Sequence, residues 1–208
     1  MMQKHLNTGT MNWKITAGIA VIVLLLLMWL VPHINRFPVL DEEVNAKWSQ
    51  VLNQYKRRSD LIPNLVATVQ GYAKHERETL TAVVEARSKV AQMQLPKDIL
   101  TNPQAFQQFQ QHQGELTAAL SKLMVVVERY PQLQASQNFS ALQSQLEGTE
   151  NRIAVARRDY IEVVKTFNIS LRTIPGRWIA AVFYPQMEAR QNFTITEAEQ
   201  NTPKVEFK

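Results

Sequence analysis

The chain has no cysteine, and that absence removes disulfides, thiolate metal sites and cysteine nucleophiles from consideration. It says nothing of compartment, since a cysteine-free chain suits either side of a membrane. Glycine is nearly as scarce: six in 208 residues disfavours a fold built from many tight turns. Concentrated charge is missing as well. The formal net charge is +5, but Lys4 and Lys14 flank a hydrophobic run, and the other 21 basic residues are mixed with 18 acidic ones. That mixture is a solvated helical surface rather than a phosphate-binding face, so nucleic acid is not an expected partner. Short chemical motifs are lacking too: no Gly-rich phosphate loop, Gly-x-Ser-x-Gly turn or His-Glu-x-x-His pair occurs. The histidines, His5, His33, His75 and His112, are scattered. His75 and Glu78 share a helical turn, with no second histidine at ligand spacing. The sequence predicts no catalytic residue, no cofactor, no metal and no enzymatic activity.

What is present begins with an apolar run. Ile15 to Val31 holds no charge, and extending it to Trp13 and Ile34 gives the roughly 20 residues that cross a bilayer. Trp13 and Trp29 stand where interfacial aromatics belong, and Pro32 closes the run. A cleaved secretory signal would have an apolar core of about 7–15 residues and small residues at the cut. Here Pro-His-Ile-Asn-Arg follows instead, which favours an uncleaved anchor over 15–34 behind a short N-terminal segment, 1–14. Lys4 and Lys14 before the span nearly balance Arg36 and Lys47 after it. The positive-inside rule tips the N-terminus inward and the rest of the chain outward.

Beyond the anchor, apolar residues recur at alternating spacings of four and three. One series runs from Val44 through Trp48, Val51, Tyr55, Arg58, Ile62, Leu65 and Val69 to Val83, Ala86, Val90 and Met93. A second runs Phe106, Phe109, Gln113, Leu116, Leu120, Leu123, Val127, Tyr130, and a third runs from Phe139 through Leu146, Ile153 and Tyr160 to Phe167 and Ile174. A 3.5-residue period is the seam of helices packed side by side with a left-handed twist. Neighbouring apolar positions such as Leu52, Val66 and Val164 widen the stripe to what a bundle needs. The fold predicted is all-α: a transmembrane helix followed by an antiparallel bundle of three to four long helices over 41–175. Helices are expected at about 41–93, 103–130 and 138–174. Thr101 or Asn102 would cap the second, with Pro103 in its first turn, and Ser136 or Asn138 the third. Pro63 either turns the chain or kinks it; the heptad phase passes through without a slip, which favours a kink.

Arg58 and Glu76 fall on seam positions. Paired, they would set register or bind a partner group; the simpler expectation is that both reach water at the bundle edge. Lys56, Arg57, Arg157 and Arg158 could touch anionic lipid head groups, although Asp60, Asp159 and Glu162 stand close enough to neutralise them. After Pro175-Gly176 comes an apolar hook, Trp178, Ile179, Ala180, Ala181, Val182, Phe183 and Tyr184, too short to span a bilayer and too apolar for water. The hook must be covered, and a neighbouring subunit, a partner or the membrane interface is the favoured cover. The region 176–208 ends in a stretch, 192–208, that reads as extended or disordered.

Several blocks together resemble the LemA family of bacterial membrane proteins: Tyr55 to Leu65 (YKRRSDLIPNL), Gly71 to Glu76 (GYAKHE), Val83 to Arg87 (VVEAR), Val126 to Pro131 (VVERYP) and Phe139 to Tyr160. The resemblance covers most of the chain after Trp48. It implies an N-terminal transmembrane helix and an antiparallel helical bundle, and it brings no catalytic residues. The function expected is a non-enzymatic, single-pass scaffold that self-assembles as a homo-oligomer at the bacterial inner membrane, with its bundle in the periplasm. The alternative is an adaptor or client of other inner-membrane proteins, such as an envelope-stress protease.

Overall fold

The computed structural model of this chain describes residues 13–194. Most of the N-terminal segment and the end of the expected tail lie outside that range.

The apolar run and the start of the first heptad series form a single helix, α1 (Trp13–Tyr72, 60 residues), roughly 90 Å long at about 1.5 Å per residue. Its first turns are long and apolar enough to cross a membrane, and their side chains lie bare, with Leu25 60% and Met28 66% exposed. Three prolines, Pro32, Pro38 and Pro63, sit inside α1. An interior proline orphans the carbonyl four residues earlier and costs about 3 kcal/mol. At Pro63 that carbonyl belongs to Ser59, and it accepts instead from Arg87 Nε at 3.0 Å. The helix continues because a side chain from the next helix supplies the missing bond.

The single helix expected over 41–93 is two. The chain turns back at residues 73–76, and α2 (Arg77–Gln92) returns along α1. This is a correction with a clear cause. A straight helix would have carried the stripe Leu80, Val83, Ala86 past the end of every partner. Folded back, it buries that stripe with Ile62, Leu65 and Val69. α3 (Pro103–Val127) begins on Asn102, whose side chain accepts from the amides of Gln104 at 3.1 Å and Ala105 at 3.2 Å. A short α4 (Pro131–Gln134) leads into α5 (Gln137–Arg172), and α6 (Gly176–Phe183) follows. α1 and α3 point one way, α2 and α5 the other, as an antiparallel four-helix bundle requires.

Two apolar clusters fill the bundle. Nearer the anchor, an aromatic one joins Trp48, Tyr55, Phe106, Phe109, Tyr160 and Phe167. Farther away, an aliphatic one joins Ile62, Leu65, Leu116, Leu123, Leu133 and Leu146. In the anchor-proximal half only the first turns of α3 join α1 and α5, through Phe106 and Phe109. A strap of irregular chain, 184–194, lies along them and plugs Phe193 into the aromatic cluster.

Candidate functional site

Between the two clusters lies a buried polar layer of Arg58, Ser59, Gln113 and Thr149. Arg58 is only 1% exposed, so the expectation that it reaches water is corrected. Its guanidinium donates to Thr117 Oγ1 at 2.8 Å, Glu150 Oε1 at 2.9 Å and Gln113 Oε1 at 2.7 Å, and it lies 5.1 Å from the Tyr55 ring centre. A charge so deep is tolerated because a carboxylate and several acceptors surround it. Three helices meet in this layer: Arg58 comes from α1, Gln113 and Thr117 from α3, Glu150 from α5. Burial raises the Tyr55 hydroxyl pKa above its ordinary value, against the lowering effect of Arg157 and Arg58.

Glu76 is also held. It accepts from Arg129 at 3.0 Å and from the Tyr130 hydroxyl at 3.0 Å, which ties the α1–α2 turn to the end of α3. That hydrogen bond to a carboxylate raises the Tyr130 pKa. Across the bundle, α3 and α5 are the widest-spaced neighbours. An open groove runs between them, lined by Leu120 and Met124 on one side and Gln143, Leu146 and Glu147 on the other.

The hook is α6. Ile179 and Ala180 are buried against Phe37, Leu30 and Ile34 of α1, while Tyr184 packs 5.8 Å from the Phe37 ring. Trp178, Val182 and Phe183 point outward, 63%, 73% and 47% exposed. The residues expected at an interface therefore divide, with Ile179 covered by the chain's own anchor helix. Gly176 makes this possible: a Cβ there would sit 2.1 Å from the Ser170 carbonyl oxygen.

The basic residues considered for lipid contact are placed elsewhere. Measured along α1, Lys56 lies roughly 33 Å beyond Ile34, farther than a lysine side chain reaches. Lys56 pairs with Asp60 at 2.9 Å, and Arg57 faces solvent. The Arg157 guanidinium lies 4.5 Å over the Phe193 ring, and Arg158 is 4.0 Å from Asp159. Sequence reasoning missed the clamps on the strap. Arg190 pairs with Asp41, its backbone N–H donates to Asn168 Oδ1 at 2.8 Å, and Tyr160 donates to the Gln191 carbonyl at 2.8 Å. No short-range pattern announces partners 149 residues apart.

Among the described residues, no three His, Asp or Glu side chains gather as metal ligands. What the arrangement does chemically is neutralise itself: its buried charge is spent on internal partners.

A family model described as the LemA family matches residues 47–207. The magnetosome protein MamQ 2 of Paramagnetospirillum magneticum is 26% identical over 164 residues, covering 71% of this chain and 60% of that protein. Protein LemA of Metamycoplasma hominis is 25% identical over 133 residues, covering 64% of this chain and 57% of its own length. The chain thus spans about three-fifths of the length of the curated relatives it matches.

Proposed function

Starting from the fact that this chain belongs to the LemA family, we propose that it is a non-enzymatic, membrane-anchored scaffold whose bundle stands off the bilayer and associates sideways with other copies. The carrying observation is the unbroken α1, in which the span and one wall of the bundle are the same helix. Such a helix holds the bundle at a fixed height and a limited range of angles. Copies anchored this way meet in two dimensions with matching orientation, so a contact between unlike faces closes into a ring or propagates as an array. The groove between α3 and α5, with Leu120, Met124 and Leu146 along it, is the face offered at bundle height.

Further support comes from the relatives. Neither the name of a magnetosome protein nor that of Protein LemA states a reaction. We place the protein in the bacterial inner membrane with the bundle in the periplasm, on the basic residues before the span. Protease added to intact spheroplasts then digests the bundle; protection until the membrane is opened reverses the orientation.

The decisive experiment is native mass measurement of the full-length protein in mild detergent. The proposal expects assemblies of many subunits, and Met124→Glu, on the half-buried groove wall, shifts them toward monomer without changing the helical signal. A strictly monomeric wild type overturns self-association and favours the adaptor reading.

A further inference from the structure

The outward face of α6 has no cover among the described residues. Its position along α1 says what covers it. Ile179 and Ala180 pack against Leu30, Ile34 and Phe37, and Leu30 still belongs to the apolar run, whose last members, Trp29 and Val31, are about half exposed. The hook is therefore held at the height where the span leaves the hydrocarbon. Outward from it project Trp178 and Val182, one helical turn apart, and Phe183. Ile174, 63% exposed, extends the same apolar surface. A tryptophan on a short apolar helix at this depth matches the amphipathic ring that favours the headgroup boundary.

Charge points the same way. A hollow between α5, α6 and the strap is lined by Arg172 and Arg177 together with Leu171, Ala180, Tyr184 and Met187. Met187 and Ala189 of the strap line it, while Glu188 between them does not. Arg172, Arg177 and Arg36 have no carboxylate partner among the described residues, as is also true of Arg57 and Arg157 in the bundle; what sets Arg172 and Arg177 apart is that they line one hollow beside the hook. Unpaired arginines gathered at the bilayer edge are what a lipid phosphate attracts.

We propose that α6 is a second membrane contact: Trp178, Val182 and Phe183 lie in the headgroup boundary of the leaflet where the span exits, and Arg172 and Arg177 hold the phosphate of an anionic lipid in the hollow beside them. This goes beyond the scaffold reading and stands whether or not copies assemble.

The absence of cysteine makes the test clean. Single cysteines replace Val182, and, as controls on exposed bundle positions, Val125 and Val155. Each full-length protein is labelled with a fluorophore and reconstituted in phosphatidylcholine vesicles with and without phosphatidylglycerol. The expected result is that headgroup-nitroxide lipids quench the label at 182 and leave those at 125 and 155 bright. The label at 182 should also be shielded from aqueous iodide at every protein-to-lipid ratio. Omitting phosphatidylglycerol, or substituting Arg172→Gln with Arg177→Gln, should weaken the quenching at 182. Three results overturn the proposal: quenching at 182 no greater than at 125, shielding that vanishes as protein is diluted in lipid (a second copy is then the cover), or quenching indifferent to both phosphatidylglycerol and the two arginines.

Discussion

Along the same two helices, α1 and α5, the bundle is closed in two ways. Farther from the anchor, α2 and α3 complete a four-helix ring around aliphatic residues such as Leu65, Leu116 and Leu123. Nearer the anchor, the irregular strap joins the first turns of α3, with Phe106 and Phe109, in closing the core around Trp48, Tyr160 and Phe167. A helix satisfies its own backbone groups and can cover a core with a repeating stripe of modest side chains. A strap cannot do so. Its carbonyls and amides need outside partners, which Tyr160 and Asn168 supply, and with few side chains facing inward it needs a large one, Phe193. Aromatic rings collect where the covering chain is thin, because each buries more area per residue.

The largest test of that contrast removes one core residue from each half. Leu123→Ala in the helix-closed half should cost about 2–5 kcal/mol and lower the melting temperature of the whole protein. Phe193→Ala should instead release the strap locally. It should speed protease cleavage within 185–194 and hydrogen exchange there, with less effect on global melting than Leu123→Ala. Equal global losses would erase the distinction.

The polar layer between the halves gives the next effect. Glu150→Ala leaves Arg58 charged, buried and without its carboxylate, which should cost about 3 kcal/mol. Glu150 itself is 40% exposed, so Arg58→Met strands no charge and should be milder. Chemical denaturation should rank the double variant, Arg58→Met with Glu150→Ala, as more stable than Glu150→Ala alone. The reverse order would mean the layer is held by packing rather than by charge.

A third effect belongs to the helix-closed half alone. Arg87→Met removes the donor to the Ser59 carbonyl that Pro63 leaves unpaired, and an unsatisfied buried acceptor costs about 1–3 kcal/mol. Adding Pro63→Ala restores an amide to that carbonyl, so the pair should recover most of the loss in thermal melts.

The smallest is a pH effect in the strap-closed half. Burial pushes the Tyr160 hydroxyl far above its ordinary pKa, only partly opposed by Arg190. Below about pH 10 folded and unfolded chains both keep this proton and stability is indifferent to it; above that, the unfolded chain ionises first and stability falls as pH rises. Tyr160→Phe should flatten this alkaline decline while costing about 1 kcal/mol at neutral pH through the lost bond to Gln191. Tyr55 and Tyr130 are raised too, so part of the decline remains.

The helix-closed half is the half the sequence makes legible. In that half Ile62, Leu65, Val69 and Leu146, read from spacing alone, are all buried; in the other half the same spacing finds the helical residues Val44, Trp48, Val51, Tyr55, Ile153, Tyr160 and Phe167, but not the strap that covers them. The hairpin at 73–76 escaped notice because its length preserves the four-three alternation, so a chain that folds back reads like one that runs on. Arg58 misled because a seam position says nothing of whether partners wait on other helices, here α3 and α5. The strap had no periodicity to read. The hook's apolarity was plain, but which of its residues the anchor helix would cover depended on the return of α5 to Phe37, a matter of tertiary distance.

One consequence follows from α6 lying across Leu30, Ile34 and Phe37. Pro32 falls within that stretch and Pro38 directly follows it, and a proline pair at a membrane exit is where a long helix bends most easily. With the hook strapped over it, the joint is splinted, and span and bundle turn together as one lever. About 57 Å of α1 lies beyond Ile34, so a change of about 10° in the tilt of the span sweeps Tyr72 sideways by roughly 10 Å. In the proposed assembly, bilayer thickness, which biases that tilt, would bias the spacing between the tips of neighbouring bundles.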